Sequence, residues 1–397
     1  MATVLEGIRV LDFSRFLTGP YATMLLADMG AEVVRVERPG GADDRGLGPF
    51  APSGESLPYG IVVARNKKGI TLDIQSEEGR ELLGKLVSRS DVVVHNYTPG
   101  SPESDLLEYE RLARLNPAII VTAVTGFGQN GPYAQRVCFD AVAQGMSGAM
   151  SYTGFPGNPP TRSGPLMVDV STGIYAALGT MFALYHRQKT GRGQLVDVAM
   201  LDTALSFVNA AGVAAEYKLL GWVRQQQGNQ SFYCLTDAFQ ARDGWVMLSI
   251  VGEGLWRRLC RVLGREEWVG DERFKDDMAR YRNRHLILPV IGAWMSERTA
   301  EEVVRTLNKA RVPCGRVNSI PEMMADPQMQ AREMLLEVDF PGVGPVPMPG
   351  VVPKLSGTPG GIGRRAPLLG EHNEEVYCGL LGLSASQLSA LRQKGVV

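Results

Sequence analysis

The chain has 397 residues, enough for about two to three average domains with sizeable cores. Its 41 lysines and arginines against 42 aspartates and glutamates leave a formal charge of −1, which excludes a broad basic surface for nucleic acid or anionic membrane. Hydrophobic residues at 44% and charged residues at 21% match ordinary globular usage, so the composition also argues against disordered and membrane-embedded classes.

The N-terminal third alternates short β-branched runs with helical patterns. Residues 8–12 predict a strand, 19–29 an apolar-faced helix and 32–37 a second strand, together a βαβ unit. Strands over 70–74, 91–95 and 118–124 then alternate with helices over 76–88 and 106–115. That rhythm predicts an α/β domain with a largely parallel sheet. A Gly/Pro-dense stretch, 153–165, precedes a long helix over 170–188, which Gly191-Arg192-Gly193 stops before a strand over 194–199 and a helix over 201–220.

After Gln225-Gln226-Gln227 the texture changes. Residues 236–250 read as strands around the turn Arg242-Asp243-Gly244-Trp245, and most of 254–307 is helical in pattern. The Gly/Pro-rich run 340–363 reads as a long surface crossing that returns the chain to the first domain, where 373–381 and 384–393 form terminal helices. The expected division is a discontinuous larger domain, 1–222 with 327–397, and a smaller α+β domain over 223–326.

Five scattered cysteines with no CxxC pair predict neither structural disulfides nor a zinc site, and the four histidines form no metal-binding pattern. The first residues carry Glu6 and no long apolar run, so the cytoplasm is the expected location. No GxxxxGK[ST] and no GxSxG is present, which argues against a P-loop nucleotidase and a serine hydrolase.

Gly126-Phe127-Gly128-Gln129-Asn130-Gly131 spells GxGxxG after a predicted strand. Pro132 follows at once, and no acidic strand end lies about 20 residues on, so a glycine-rich turn is the better reading than a dinucleotide fingerprint. Asn66-Lys67-Lys68-Gly69, with Arg35 and Arg38, places basic residues at strand edges, where they either meet phosphates or form solvated surface. Asp169 stands where the long helix begins. It reads either as an N-cap or as a carboxylate shielded by Leu166-Met167-Val168 and able to act as a covalent nucleophile; Asp140 and Glu216 are weaker candidates for that role.

Taken in order, these segments resemble family III CoA-transferases, the formyl-CoA and carnitine CoA-transferase group. The resemblance runs from Gly7-Ile8-Arg9-Val10-Leu11-Asp12 through Gly19-Pro20, Leu25-Leu26-Ala27-Asp28-Met29-Gly30-Ala31-Glu32-Val33 and Val36-Glu37-Arg38-Pro39-Gly40. It continues through Asn66-Lys67-Lys68, Asp91-Val92-Val93-Val94-His95-Asn96-Tyr97, Gly126-Phe127-Gly128, Phe139-Asp140, Asp169 and Lys189-Thr190-Gly191-Arg192-Gly193-Gln194.

The resemblance implies a Rossmann-like larger domain built from both termini, a smaller domain inserted between, and an interlocked homodimer or an assembly with a homologous subunit. It implies Asp169 as nucleophile, acyl-CoA and a small organic acid as substrates, and no prosthetic group. By the same carry-over Arg38, Lys67, Lys68 and Arg136 meet CoA, Asn96 and Tyr97 line its path, and Phe16, Leu17 and Asp140 approach the acyl end. An arginine expected after the Asn-aromatic stretch is replaced by Ser101-Pro102-Glu103-Ser104-Asp105, and Gly228-Asn229-Gln230-Ser231-Phe232-Tyr233 stands where the formyl-CoA branch has a glycine run. The resemblance leaves open an acyl-CoA racemase, disfavoured because Phe139 stands where a proton-carrying histidine belongs, and a silent CoA-binding subunit.

Overall fold

The structure, a computed structural model, describes residues 3–397. Strands β1 (Arg9–Asp12), β2 (Glu32–Glu37), β3 (Lys67–Thr71), β4 (Val92–His95), β5 (Ile120–Thr125) and β6 (Leu195–Ala199) form one parallel sheet in the order β3-β2-β1-β4-β5-β6. The β-branched runs clothe both faces. Leu11, Val34, Ile70 and Val93 pack with Leu82 and Leu86 on one face, while Val10, Val33, Val92 and Ile120 pack with Leu26 and Ala176 on the other. A sheet buried on both sides needs such continuous apolar runs. Strand order reverses between β1 and β4, so their carboxyl ends flank the crevice in which open α/β sheets take ligands.

The C-terminal residues close the β3 edge. The Thr71 N–H donates to Asn373 Oδ1 at 2.9 Å, Tyr377 hydroxyl to the Thr71 carbonyl at 2.6 Å, and the Asp73 N–H to the Val396 carbonyl at 2.8 Å. Those contacts protect an edge strand otherwise open to pairing with another chain. This Rossmann-like unit is thus built from both ends of the chain, comprising Met1–Ala149, Ser163–Gly221 and Gln328–Val397.

Met150–Arg162 and Trp222–Pro327 form the second, smaller compact unit. There β7 (Leu235–Ala241), β8 (Gly244–Ile250) and β9 (Cys314–Arg316) make an antiparallel sheet, and helices Glu253–Leu263, Arg284–Ser296 and Ala300–Lys309 bury Leu248, Trp256, Ile291 and Leu307 against it. Residues 150–162 differ from expectation by sorting with this unit. Gln226 Nε2 donates to the Thr153 carbonyl at 2.9 Å, a tie that no periodicity in a Gly/Pro run announces.

Three elements depart from the sequence reading. β3 begins at Lys67, paired with Val33, because that lysine is a core residue rather than part of a loop. The helix expected over 201–220 is two helices, Met200–Ala210 and Val213–Leu220, parted at Gly212 with φ of +74°. The supposed surface crossing opens with a hairpin, β10 (Leu335–Phe340) and β11 (Gly344–Pro349). Val338, Phe340, Val346 and Met348 turn inward onto Ile61, and Pro345, Pro347 and Pro349 alternate, so that their missing N–H groups all fall on the side away from the partner strand.

Candidate active site

Asp169 occupies the first turn of the Met167–Thr190 helix, which packs on the sheet and on the Thr18–Asp28 helix. Among the described residues this helix alone is long and apolar enough to cross a membrane, but half of its most apolar window is buried inside the protein, as in a core helix. Thr18 Oγ1 donates to Asp169 Oδ1. The Asp169 carboxyl is pushed up to about 6, mainly by burial and further by the nearby Asp140 charge, with the Thr18 hydrogen bond opposing.

Asp140 is buried and has a different task from the substrate contact implied by the resemblance. One oxygen accepts the N–H of Val168 at 2.8 Å and of Asp169 at 3.1 Å, while the other accepts from the Gln144 side chain. Both oxygens of its carboxylate are therefore engaged, one of them by the start of the Met167–Thr190 helix.

A cavity of about 150 Å³ opens beside Asp169, lined among others by Phe16, Thr18, Asn96, Gly126, Arg136, Cys138, Phe139 and Met200. It lies at the crevice between the carboxyl ends of β1 and β4, since Phe16 and Thr18 follow β1 and Asn96 follows β4. Phe16 has a left-handed φ of +63°, and its ring meets Phe139 edge-on at 5.6 Å. That turn presents Phe16 and Thr18 to the cavity, whereas Leu17, expected at the acyl end, is not part of the lining. Cys138 also lines this cavity, its thiol pushed up to about 11 by burial and the adjacent carboxylates, so that it stays largely protonated near neutrality.

The GxGxxG run is structural. A Cβ on Gly126 would meet the Cys138 Cβ at 2.3 Å, so glycine is needed for the strand end to pass under the cavity wall. Gly128 takes φ of +88° in the turn that follows, and its N–H donates to Thr125 Oγ1 at 2.8 Å.

A second cavity, of about 190 Å³, adjoins the β1 and β2 ends and is lined among others by Arg15, Arg38, Tyr97 and Glu103. Arg15 lies over the Tyr97 ring at 4.6 Å and also reaches Asp43 at 3.3 Å, and Arg38 pairs with the same Asp43. Asn96 is a clamp: its side chain bonds both the N–H and the carbonyl of Arg15, each at 2.8 Å. Arg136 stacks on Tyr133 at 3.9 Å at the wall of the first cavity.

The two lysines do not join these groups. Lys67 is fully buried, its ammonium held by Asp12 Oδ2 at 2.9 Å, Thr23 Oγ1 at 2.8 Å and the Pro20 carbonyl at 2.9 Å. All three of its donors are engaged, which leaves nothing for a phosphate. Lys68 pairs with Glu32 and with Glu375, the latter at 2.8 Å. Both stand at the amino end of β3, whereas ligand crevices form at carboxyl ends. Thr18 and Arg15 are the residues that reading by motif passed over, although they flank Phe16 directly before Gly19-Pro20.

The chain thus holds a doubly wound α/β unit with a shielded carboxylate at its switch point and an arginine-bearing cavity nearby, an arrangement of the kind that takes nucleotide-like ligands. Residues 5–373 match CoA-transferase family III. The chain is 37% identical to the succinyl-CoA–D-citramalate CoA-transferase of Chloroflexus aurantiacus, over 99% of this chain and 98% of that one. It is likewise 37% identical to the formyl-CoA:oxalate CoA-transferase of Streptomyces coelicolor, over the whole of both. A CaiB/BaiF family protein from Brucella suis superposes with TM-score 0.81 at 33% identity, covering 96% of this chain and 100% of that chain. The chain belongs to CoA-transferase family III, and its activity is the transfer of CoA.

Proposed function

We propose that the enzyme moves CoA from succinyl-CoA to an organic dicarboxylate through covalent intermediates on Asp169. The observation that carries this reading is the half-shielded Asp169 carboxylate beside a cavity at the β1/β4 switch point. Direct exchange between two free acids would ask a solvated carboxylate to compete with water. A fixed carboxylate replaces that encounter with short-range steps in a shielded site.

Asp169 attacks the acyl carbon, forming a C–O bond while the C–S bond breaks and CoA leaves as thiolate. The thiolate adds to the anhydride at the Asp169 carbonyl carbon and expels the donor acid, leaving an aspartyl-CoA thioester. The acceptor carboxylate then attacks the thioester and displaces the thiolate, giving a second anhydride. The thiolate adds to the acceptor's acyl carbon, the C–O bond from that carbon to the Asp169 carboxylate breaks, and the new CoA thioester leaves with Asp169 regenerated. A carboxyl raised to about 6 is still mostly ionised above neutrality, while its higher basicity favours attack.

The Arg15 and Arg38 cavity suits the phosphorylated end of CoA, and Asn96 and Arg136 lie on the way to Asp169. A second copy of the chain is proposed to cover the exposed apolar side chains of the Met167–Thr190 and Met200–Ala210 helices, among them Phe182 at 64% and Phe207 at 54% exposure. The Chloroflexus aurantiacus relative is named for succinyl-CoA and D-citramalate, which supports a succinyl-CoA donor and an organic acid acceptor.

The test incubates the protein with succinyl-CoA and a panel of dicarboxylates. Transfer by the parent, loss in Asp169→Ala, and a mass gain matching CoA on Asp169 are expected. Undiminished transfer by Asp169→Ala removes the nucleophile assignment, and α-proton exchange without transfer makes the enzyme a racemase.

A further inference from the structure

We propose that Thr18 is a catalytic residue of the transfer reaction: its hydroxyl holds Oδ1 of Asp169, leaves Oδ2 as the attacking atom, and stabilises the charge that develops on Oδ1. The inference rests on Asp169 being the nucleophile.

Among the described residues Thr18 is the one hydrogen-bond donor to the Asp169 carboxylate, and it takes Oδ1 alone. The two oxygens therefore differ before any substrate arrives. Once Oδ2 has formed the anhydride, Oδ1 is its carbonyl oxygen. When the CoA thiolate adds to that carbonyl carbon, a C–S bond forms and the carbonyl π pair moves onto Oδ1. Collapse restores the C=O bond and breaks the bond to Oδ2, which leaves with the donor acid. When the acceptor carboxylate attacks the thioester, negative charge gathers on Oδ1 again before the C–S bond breaks. A hydroxyl already aimed at that atom serves as an oxyanion donor in both steps without reorganising.

The hydroxyl is firmly placed. Thr18 is 5% exposed and begins the Thr18–Asp28 helix. Its loop is tied upstream twice, by the Phe16 N–H to Asp44 Oδ2 at 2.8 Å and by Asn96 to both backbone groups of Arg15. Downstream, the helix of Asp169 approaches so closely that a Cβ on Gly173 would lie 2.7 Å from the Thr18 carbonyl. Glycine there lets the two helix starts meet, and the Thr18 hydroxyl reaches Asp169 from that contact.

Thr18→Val keeps shape and volume while removing the donor; Thr18→Ser restores the donor without the methyl group. For Val, kcat falls about 100-fold with KM for succinyl-CoA little changed, in keeping with loss of one oxyanion donor. The acid limb of its pH profile moves to higher pH, because the hydroxyl favours ionised Asp169, and Ser recovers most of both effects. Val within about twofold of the parent, or Ser as impaired as Val, overturns the assignment. Carboxyl ¹³C titration of Asp169 supplies a readout free of turnover: the carboxyl of Val titrates at higher pH than the parent's if Thr18 donates to it, and identical curves overturn the contact. Parallel Asp169→Ala separates the two proposals, since full activity there defeats the nucleophile, whereas an inactive Asp169→Ala beside a parent-like Val defeats Thr18 alone.

Discussion

The carboxylate of Asp140 accepts the backbone N–H of Asp169 at 3.1 Å, so one buried acid anchors the start of the helix that carries the other. The arrangement holds Asp169 by its backbone and leaves its side chain free of that contact, while the neighbouring charge raises the Asp169 carboxyl. Asp140→Asn keeps an acceptor and deletes the charge, so the acid limb of kcat/KM moves to lower pH with little loss of stability. Asp140→Ala deletes both, costs about 1–2 kcal/mol as a lost cap does, and lowers kcat. Urea unfolding and pH–rate profiles of the two variants check the distinction.

The Asp169 carboxyl itself fixes a pH signature. Its folded-state value of about 6 lies above the ordinary aspartate value of 3.8, so the folded state binds the proton more tightly. Stability therefore falls as pH rises between those two values, and the penalty of the buried charge is complete above them. Asp169→Asn removes that penalty. It is expected to be more stable than the parent by about 1–2 kcal/mol at pH 7.5, and equal to it near pH 3.5, by urea titration at the two pH values. With Asp169 in the proposed role, kcat/KM of the parent is expected to fall below about pH 6 as that carboxylate protonates, which a pH–rate profile checks.

Lys67 separates a structural from a ligand-binding role. Burial opposes the charge on Asp12, yet Lys67, Ser14 and Thr23 together hold its carboxyl below the ordinary range. That contribution to stability is present above the unfolded aspartate value and is lost as pH falls through the lower folded one. Lys67→Met leaves Asp12 buried without its cation and costs about 3–5 kcal/mol in urea unfolding. Arg38→Ala, at a side chain 60% exposed beside the second cavity, instead raises KM for acyl-CoA with stability little changed. A KM effect without destabilisation in Lys67→Met returns that lysine to the binding site.

The parallel sheet was legible because its strands are continuous β-branched runs such as Val92-Val93-Val94 separated by amphipathic helices. The return of the C-terminal residues to the first unit was read from the Gly/Pro-rich crossing, but the contacts of Asn373 and Tyr377 with Thr71 that make the return were not legible, since they span some three hundred residues of sequence. The hairpin over 335–349 was hidden by its prolines, whose alternation fits a strand with a solvent-facing edge as readily as a loop. In the site, the place of Asp169 at a helix start left an N-cap and a shielded carboxylate both open, and only the resemblance chose between them, while Lys67 was not assignable. A lysine before a strand carries no sign of whether its ammonium meets water, a phosphate or a buried aspartate. Thr18 was missed because hydroxyls at helix starts are commonplace, and its meaning comes from a helix about 150 residues further along.

Asp44 links a buried ion pair to the geometry of the cavity. Its Oδ1 takes Arg35 Nη2 at 2.9 Å and its Oδ2 takes the Phe16 N–H at 2.8 Å, with the aspartate and the arginine almost wholly buried. Phe16 holds a left-handed φ of +63°, a conformation costing about 1–3 kcal/mol that persists only where neighbours over-determine it. Asp44→Asn can still accept the Phe16 N–H, but sets a neutral amide against Arg35. Asp44→Ala removes both partners. Both variants are therefore expected to be less stable, by about 3 kcal/mol, because each leaves the Arg35 cation short of its counter-charge. Only the alanine variant should lose kcat substantially, because only there is the turn presenting Phe16 and Thr18 to Asp169 released. Steady-state kinetics beside urea unfolding for the pair decides the point: equal losses of kcat in both variants would place the effect in Arg35 and the packing beneath it, not in the Phe16 turn.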